Sequence, residues 1–157
     1  MKKRMWKVYG FWVGIAEAVG ALSGFLSRKG MELYNINIVK PPLTPPEWVF
    51  PVVWGILLAL MGIGAARIYL AQDSGKRSRG LNLFVAQLIV NFFWSLILFN
   101  LQAFGLAFVW LGLLWVLVAW MVLVFAQVDS VAAVLQIPYL LWLTFAGYLT
   151  AMVWLLN

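Results

Sequence analysis

The feature that most constrains this chain is a stretch of 48 residues, Leu81 to Val128, without one charged side chain. As a single helix it would be about 72 Å long at 1.5 Å per residue, over twice the roughly 30 Å of bilayer hydrocarbon. Two membrane spans joined by a turn fit it, and Asn100-Leu101-Gln102, followed by Gly105, is the polar break that supplies the turn. The rest of the chain follows suit. Of 157 residues 65% are hydrophobic and 10% charged, and the mean hydropathy is +0.96. A soluble domain of this size could not bury that much apolar surface.

Three more spans follow from the same reasoning. The first runs from about 6 to 26, ending at Arg28, Lys29 and Gly30. The second covers about 48–71, with nineteen uncharged residues before Arg67. The uncharged run gives 81–100 and 104–126, and the fifth span is 131–156, after the turn Gln127-Val128-Asp129-Ser130. Segment 73–80 is read as a short hydrophilic hinge, and 27–47 as a polar loop. That loop closes with Pro41, Pro42, Pro45 and Pro46, none of which can donate a backbone hydrogen bond. Thr44 is expected near the start of the second helix, with Glu47 favourable at its positive end. The expected fold is all-α, a single integral membrane bundle of five helices.

The basic N-terminus, Lys2, Lys3, Arg4 and Lys7, has the look of a signal sequence. The apolar run behind it carries Glu17 and ends without an Ala-x-Ala pattern, so it is read as a retained span. With the N-terminus inside, the inner segments hold eight basic residues and the outer ones hold Arg28, Lys29 and Lys40. That orientation satisfies the positive-inside rule, and the source expected is a bacterial plasma membrane. Topology also explains the net charge of +6 better than nucleic acid does.

The chain has no cysteine and no histidine. Disulfides, thiolate catalysis, His-held metals and triads with a His base are thereby excluded, and no metal site is expected. Chemistry must come from sparse polar groups inside the bundle, each costly in lipid. Gln87, Asn91 and Ser95 share one face of the third span and read either as interhelical hydrogen bonds or as the polar wall of a cavity. Pro138, Trp142, Ala146 and Thr150 form a stripe on the fifth, where Pro138 is expected to kink the helix. Trp6, Trp48 and Trp154 fit belt anchors, whereas Trp54 and Trp142 lie deeper and suit stacking on a planar apolar ligand. Gly10, Gly14, Gly20 and Gly24 on the first span, with Ala59, Gly62 and Ala66 on the second, allow close helix approach. Glu17, near mid-span, reads as a carboxylate hydrogen-bonded to a neighbour or as a proton or cation site in a small transporter.

The run from Lys40 through Pro46 and Glu47-Trp48-Val49-Phe50-Pro51-Val52-Val53 to Trp54 resembles the signature of the TspO/MBR family. That family comprises the bacterial tryptophan-rich sensory proteins and the mitochondrial translocator protein, or peripheral benzodiazepine receptor. Segments Gln87–Ser95 and Pro138–Ala146 agree in order and spacing. The resemblance implies a homodimer with a cavity beneath the first loop, binding porphyrins such as protoporphyrin IX, and drugs of the benzodiazepine class. It assigns Trp54 and Trp142 to the pocket, with Phe50, Asn91, Ser95, Tyr139, Phe145 and Ala146 nearby and Lys40, Pro41, Pro42, Pro45 and Pro46 as a lid. Gln87 joins these ligand-binding candidates through the face that it shares with Asn91 and Ser95. No cofactor is required, porphyrin being ligand or substrate. Light-dependent porphyrin breakdown would fall to the two tryptophans, since no acid–base pair or nucleophile is visible.

The chain departs from the family at Tyr34 and Asn35, where Trp-Tyr is common, and at Leu43, where a tryptophan often stands. No basic residue follows Tyr148, so the sterol motif is incomplete and sterol binding is not expected. Arg28, Lys29 and Lys40 are the cations available to propionates. The alternative functions are a small ion-coupled transporter using Glu17, and a scaffold without ligand.

Overall fold

The computed structural model describes residues 2–157, except the side chains of Lys2 and Lys3. Its helices are α1 (Lys2–Asn37), α2 (Val49–Leu70), α3 (Gly75–Ser95), α4 (Phe104–Val128) and α5 (Ser130–Leu156). All five are long and apolar enough to cross a bilayer, α3 together with the π-helical turn Leu96–Asn100 that prolongs it. They form a closed ring in which α1 packs on α2, α2 on α5, α5 on α4, α4 on α3, and α3 back on α1. The core between them is built from Met61, Phe84, Leu114, Val118, Met121, Phe125, Tyr139 and Leu143, each nearly or wholly buried. Outward faces carry apolar side chains such as Leu113, Val116 and Leu123, as expected of surface that meets lipid.

Two boundaries differ from those expected. Helix α1 does not end near Leu26 but continues to Asn37, for 36 residues or about 54 Å. The charges at Arg28, Lys29 and Glu32 end the apolar run without ending the helix, because Arg, Lys and Glu are good helix formers. Gly30 is where the extension touches the bundle: a side chain there would come within 2.6 Å of the Phe99 carbonyl. The polar loop therefore shrinks to Ile38–Trp48. The hinge expected over 73–80 also shrinks, because Ser74 caps α3 by accepting the Arg77 amide at 3.2 Å, and the helix starts at Gly75.

The turn around Asn100–Gln102 lies as expected, with added detail. Residues 96–100 widen into a π-helical turn closed by Leu101 N to Leu96 O at 3.1 Å, and Gln102 takes a left-handed φ of 49° that reverses the chain. At the opposite end one residue, Asp129, separates α4 from α5. Its carboxylate accepts from Val131 N at 3.0 Å, capping α5, and from Arg67 Nε at 2.9 Å, tying in the end of α2.

Small residues decide the α1–α2 contact. A Cβ at Gly62 would lie 2.5 Å from Val13 Cα, so this glycine permits backbone-to-backbone approach. Gly20 faces the Leu58 side chain, whereas Gly10, Gly14 and Gly24 have open space around them. Glu17 is half-buried on α1, with Oε1 enclosed and without a hydrogen-bond partner. Helix α5 runs unbroken through Pro138, whose ring is exposed. A four-residue spacing turns about 40° past a full circle at each step. The stripe therefore drifts from exposed Pro138 through half-buried Trp142 to buried Ala146 and Thr150.

Candidate functional site: an aromatic ladder under the proline loop

The site is built where α2 faces α5. Phe50 and Trp54 stand one turn apart on α2, opposite Trp142 and Tyr139, which stand one turn apart on α5. Two cross-helix ring pairs result, both edge-to-face. Phe50–Trp142 has centroids 5.9 Å apart at 68°, and Trp54–Tyr139 has 6.1 Å at 70°.

The rung formed by Trp54 and Tyr139 is tied into a polar network. Asn91 Nδ2 donates to Tyr139 Oη at 2.7 Å, Tyr139 Oη donates to Gln87 Oε1 at 2.9 Å, and Gln87 Nε2 lies 3.6 Å from Met61 Sδ. Gln87 and Tyr139 are wholly buried. The polar face expected on α3 does point inward, and at Gln87 and Asn91 its hydrogen bonds are directed at a neighbouring helix. Ser95, one turn further, is half-buried. Trp54 also packs on Trp94 at 6.4 Å, and Trp94 on Phe99 at 6.5 Å, which in turn meets Tyr34 at 5.0 Å.

The rung formed by Phe50 and Trp142 leads the other way, toward the loop. Trp142 packs on Phe145 at 5.6 Å, and Phe145 stacks on Tyr148 at 6.2 Å and 22°. Tyr148 Oη then donates to the Pro42 carbonyl at 3.1 Å. A second anchor is Asn157, which accepts from Val39 N at 3.0 Å and donates to Val39 O at 2.9 Å. Within the loop Thr44 donates to Pro41 O at 2.6 Å rather than capping α2, and Leu43 sits at a left-handed φ of 71°. Pro41 is buried, Lys40 and Pro45 are half-buried, and Pro42 and Pro46 are exposed. The proline segment thus lies across the end of α5 as a strap.

One polar atom on this rung is unspent. The Trp142 Nε1–H is buried and has no hydrogen-bond partner, as is the Trp94 Nε1–H beside Trp54. Buried donors are nearly always paired, so an enclosed indole N–H with no protein partner has its hydrogen-bonding capacity still free.

Of the cations expected to serve the site, Lys40 Nζ donates to Asn35 O at 2.7 Å. Arg28 and Lys29 instead line a separate cleft of about 650 Å³ between α1 and the α3–α4 turn. Sequence reading missed Trp94, Tyr148 and Asn157 as parts of the site. The depth of Trp94 in its span could have marked it, on the reasoning that singled out Trp54. Nothing local marks Tyr148 or Asn157, whose partners lie 106 and 118 residues away.

Comparison with known proteins agrees with this architecture. The family model described as TspO/MBR family matches residues 12–155. A tryptophan-rich protein TspO of Chlorobaculum tepidum is 35% identical over 146 residues, covering 92% of each chain. The translocator protein of Bos taurus is 35% identical over 141 residues, covering 85% of this chain and 83% of its own. A tryptophan-rich sensory protein of Cereibacter sphaeroides is 36% identical over 110 residues, covering 70% and 68%. The match takes in both ring pairs, the polar network and the proline strap. This five-helix membrane protein belongs to the TspO/MBR family.

Proposed function

We propose that the protein is a membrane receptor for flat hydrophobic molecules, porphyrins such as protoporphyrin IX foremost, held against Trp142 and Phe50 beneath the proline strap. The observation that carries this reading is the buried, unpaired Trp142 Nε1–H on an aromatic wall that runs directly to the strap. A porphyrin offers what that wall lacks, a large π-face for stacking and acceptor atoms for the indole. The names of its relatives, sensory and translocator proteins, support a role in sensing or carrying such a ligand. We place the N-terminus inside and the strap outside, and expect the working form to be a homodimer.

Phe50, Trp142 and Phe145 would supply the stacking surface, with Ala146, small and buried, one turn from Trp142. Trp54 and Tyr139 would form the floor, with Ser95 as a further hydrogen-bonding group. With neither His nor Cys in the chain, metal-free porphyrin is favoured over haem. Under light a bound porphyrin would supply an excited state and dioxygen the oxidant, and Trp142 and Trp54 would be the candidate indoles to react with them.

A titration with protoporphyrin IX in the dark, followed by tryptophan quenching, tests the reading. Saturable quenching, weakened in Trp142→Phe and Trp54→Phe proteins, supports it. Absence of saturation in the intact protein overturns it. Loss of porphyrin absorbance only in an illuminated sample of the intact protein adds turnover to binding. The competing transporter reading rests on the unpartnered Oε1 of Glu17. It requires that Glu17→Gln abolish proton-coupled transport in vesicles while leaving porphyrin quenching intact.

A further inference from the structure

The cleft of about 650 Å³ between α1 and the α3–α4 turn shares no lining residue with either rung and meets the aromatic chain that leads from Trp54 through Trp94 only at Phe99. Two cations, Arg28 and Lys29, line it together with Gly30 and the apolar side chains of Phe25, Leu33 and Leu101. The apolar stretch Val8–Ser27 is about 30 Å long at 1.5 Å per residue, equal to the hydrocarbon thickness of a bilayer. With Lys7 at one border, Arg28 and Lys29 fall at the other, at the depth of the lipid phosphates. Phe25, one turn before Arg28 and on the apolar side of that border, is 57% exposed.

The cations are also uncommitted to carboxylates. The two ion pairs among the described residues, Arg67–Asp129 and Arg77–Asp73, use neither of them. Arg28 lies 4.3 Å over the Phe25 ring, a cation–π contact between two residues that both line the cleft. Glu32, one turn along, is not among the lining residues. The two walls of the cleft are tied to each other where Asn100 Nδ2 donates to Leu26 O at 2.9 Å, and the left-handed Gln102 reverses the chain beside them.

We propose that this cleft is a site for an anionic phospholipid, its phosphate between Arg28 and Lys29 and its acyl chain along Phe25. Two cations beside exposed apolar side chains at the border of the apolar stretch offer an acidic headgroup a charge-assisted partner and its acyl chain an apolar one. The shared chemistry is an anion between two cations, and the exposed apolar floor assigns it to a lipid rather than to a soluble phosphate.

Native mass spectrometry of the detergent-purified full chain tests this, with dioleoylphosphatidylglycerol, dioleoylphosphatidylcholine and glycerol phosphate as probes. The expected result is preferential retention of phosphatidylglycerol, weakened about 25-fold in the double variant Arg28→Gln/Lys29→Gln, the product of about fivefold for each cation. A Lys76→Gln/Arg79→Gln protein, which removes the same charge at the opposite end of the bundle, should retain the lipid as the intact chain does. Arg28 and Lys29 are exposed, so their replacement leaves the core packing in place. Equal retention of the two lipids, equal loss in the two double variants, or displacement of the lipid by millimolar glycerol phosphate would each overturn the proposal.

Discussion

The two rungs of the α2–α5 ladder are made of similar rings at nearly the same separation and tilt, yet they differ in how their polar atoms are used. At Trp54–Tyr139 the phenol is saturated, accepting from Asn91 and donating to Gln87. At Phe50–Trp142 the indole N–H is enclosed and unpaired, and the stack continues to a strap held by Tyr148 and Asn157. Rings alone therefore do not identify a binding surface. The Tyr139 phenol, paired on both sides, ties α3 to α5, whereas the Phe50–Trp142 rung has no hydrogen bond of its own and, on the proposed reading, faces the guest.

The largest effect that would sharpen this contrast is expected at Tyr139. Tyr139→Phe keeps the ring but strands Gln87 Oε1 and the Asn91 amide, at a cost of about 1–3 kcal/mol. Thermal unfolding in detergent should show the loss. An unchanged melting temperature would mean that water or a neighbour replaces the hydroxyl, and the rung would lose its structural role.

Trp142→Phe should do the reverse. A phenyl ring preserves most of the contact with Phe50 and Phe145 but removes the unpaired donor and part of the stacking face. Porphyrin affinity is expected to fall about tenfold, or about 1.4 kcal/mol, with little change in stability. Substitution at Trp54 should weaken binding less than at Trp142, because its partner Tyr139 belongs to the saturated network.

The strap comes next. Asn157→Ala removes both hydrogen bonds to Val39, so exchange of the Val39 amide should accelerate about fivefold, equivalent to about 1 kcal/mol. Tyr148→Phe, which frees the Pro42 carbonyl, should hasten porphyrin release while leaving the polar network unaltered. Hydrogen exchange and stopped-flow dissociation check these two in turn. Smallest of all should be Ser95→Ala, a change in porphyrin affinity of about threefold or less, since this half-buried hydroxyl is one hydrogen bond among many contacts.

How much of this was legible in the sequence depended on the range of the interaction. The five spans followed from charge placement alone, because lipid tolerates few charges and the break at Asn100–Gln102 is polar. The inward face of α3 was legible from the spacing of Gln87 and Asn91, since helical periodicity is local. Their common partner Tyr139, 52 and 48 residues away, was not, because nothing in periodicity says which helix lies opposite. The extension of α1 to Asn37 escaped for a different reason. Hydropathy reports where the bilayer ends and is silent on whether the helix continues beyond it. The stripe from Pro138 to Thr150 was placed on one face, but a four-residue spacing rotates, so Pro138 came out exposed while Thr150 came out buried.

The most direct test of the division between the rungs is to measure stability and porphyrin affinity on Tyr139→Phe and Trp142→Phe side by side. Affinity is best read from the Soret band of protoporphyrin IX, which does not lose signal when a tryptophan is removed. The account predicts a crossed result, with Tyr139→Phe losing stability and retaining most affinity, and Trp142→Phe losing affinity at an unchanged melting temperature. Parallel losses in both proteins, or affinity lost only in Tyr139→Phe, would contradict it and move the binding surface to the polar network.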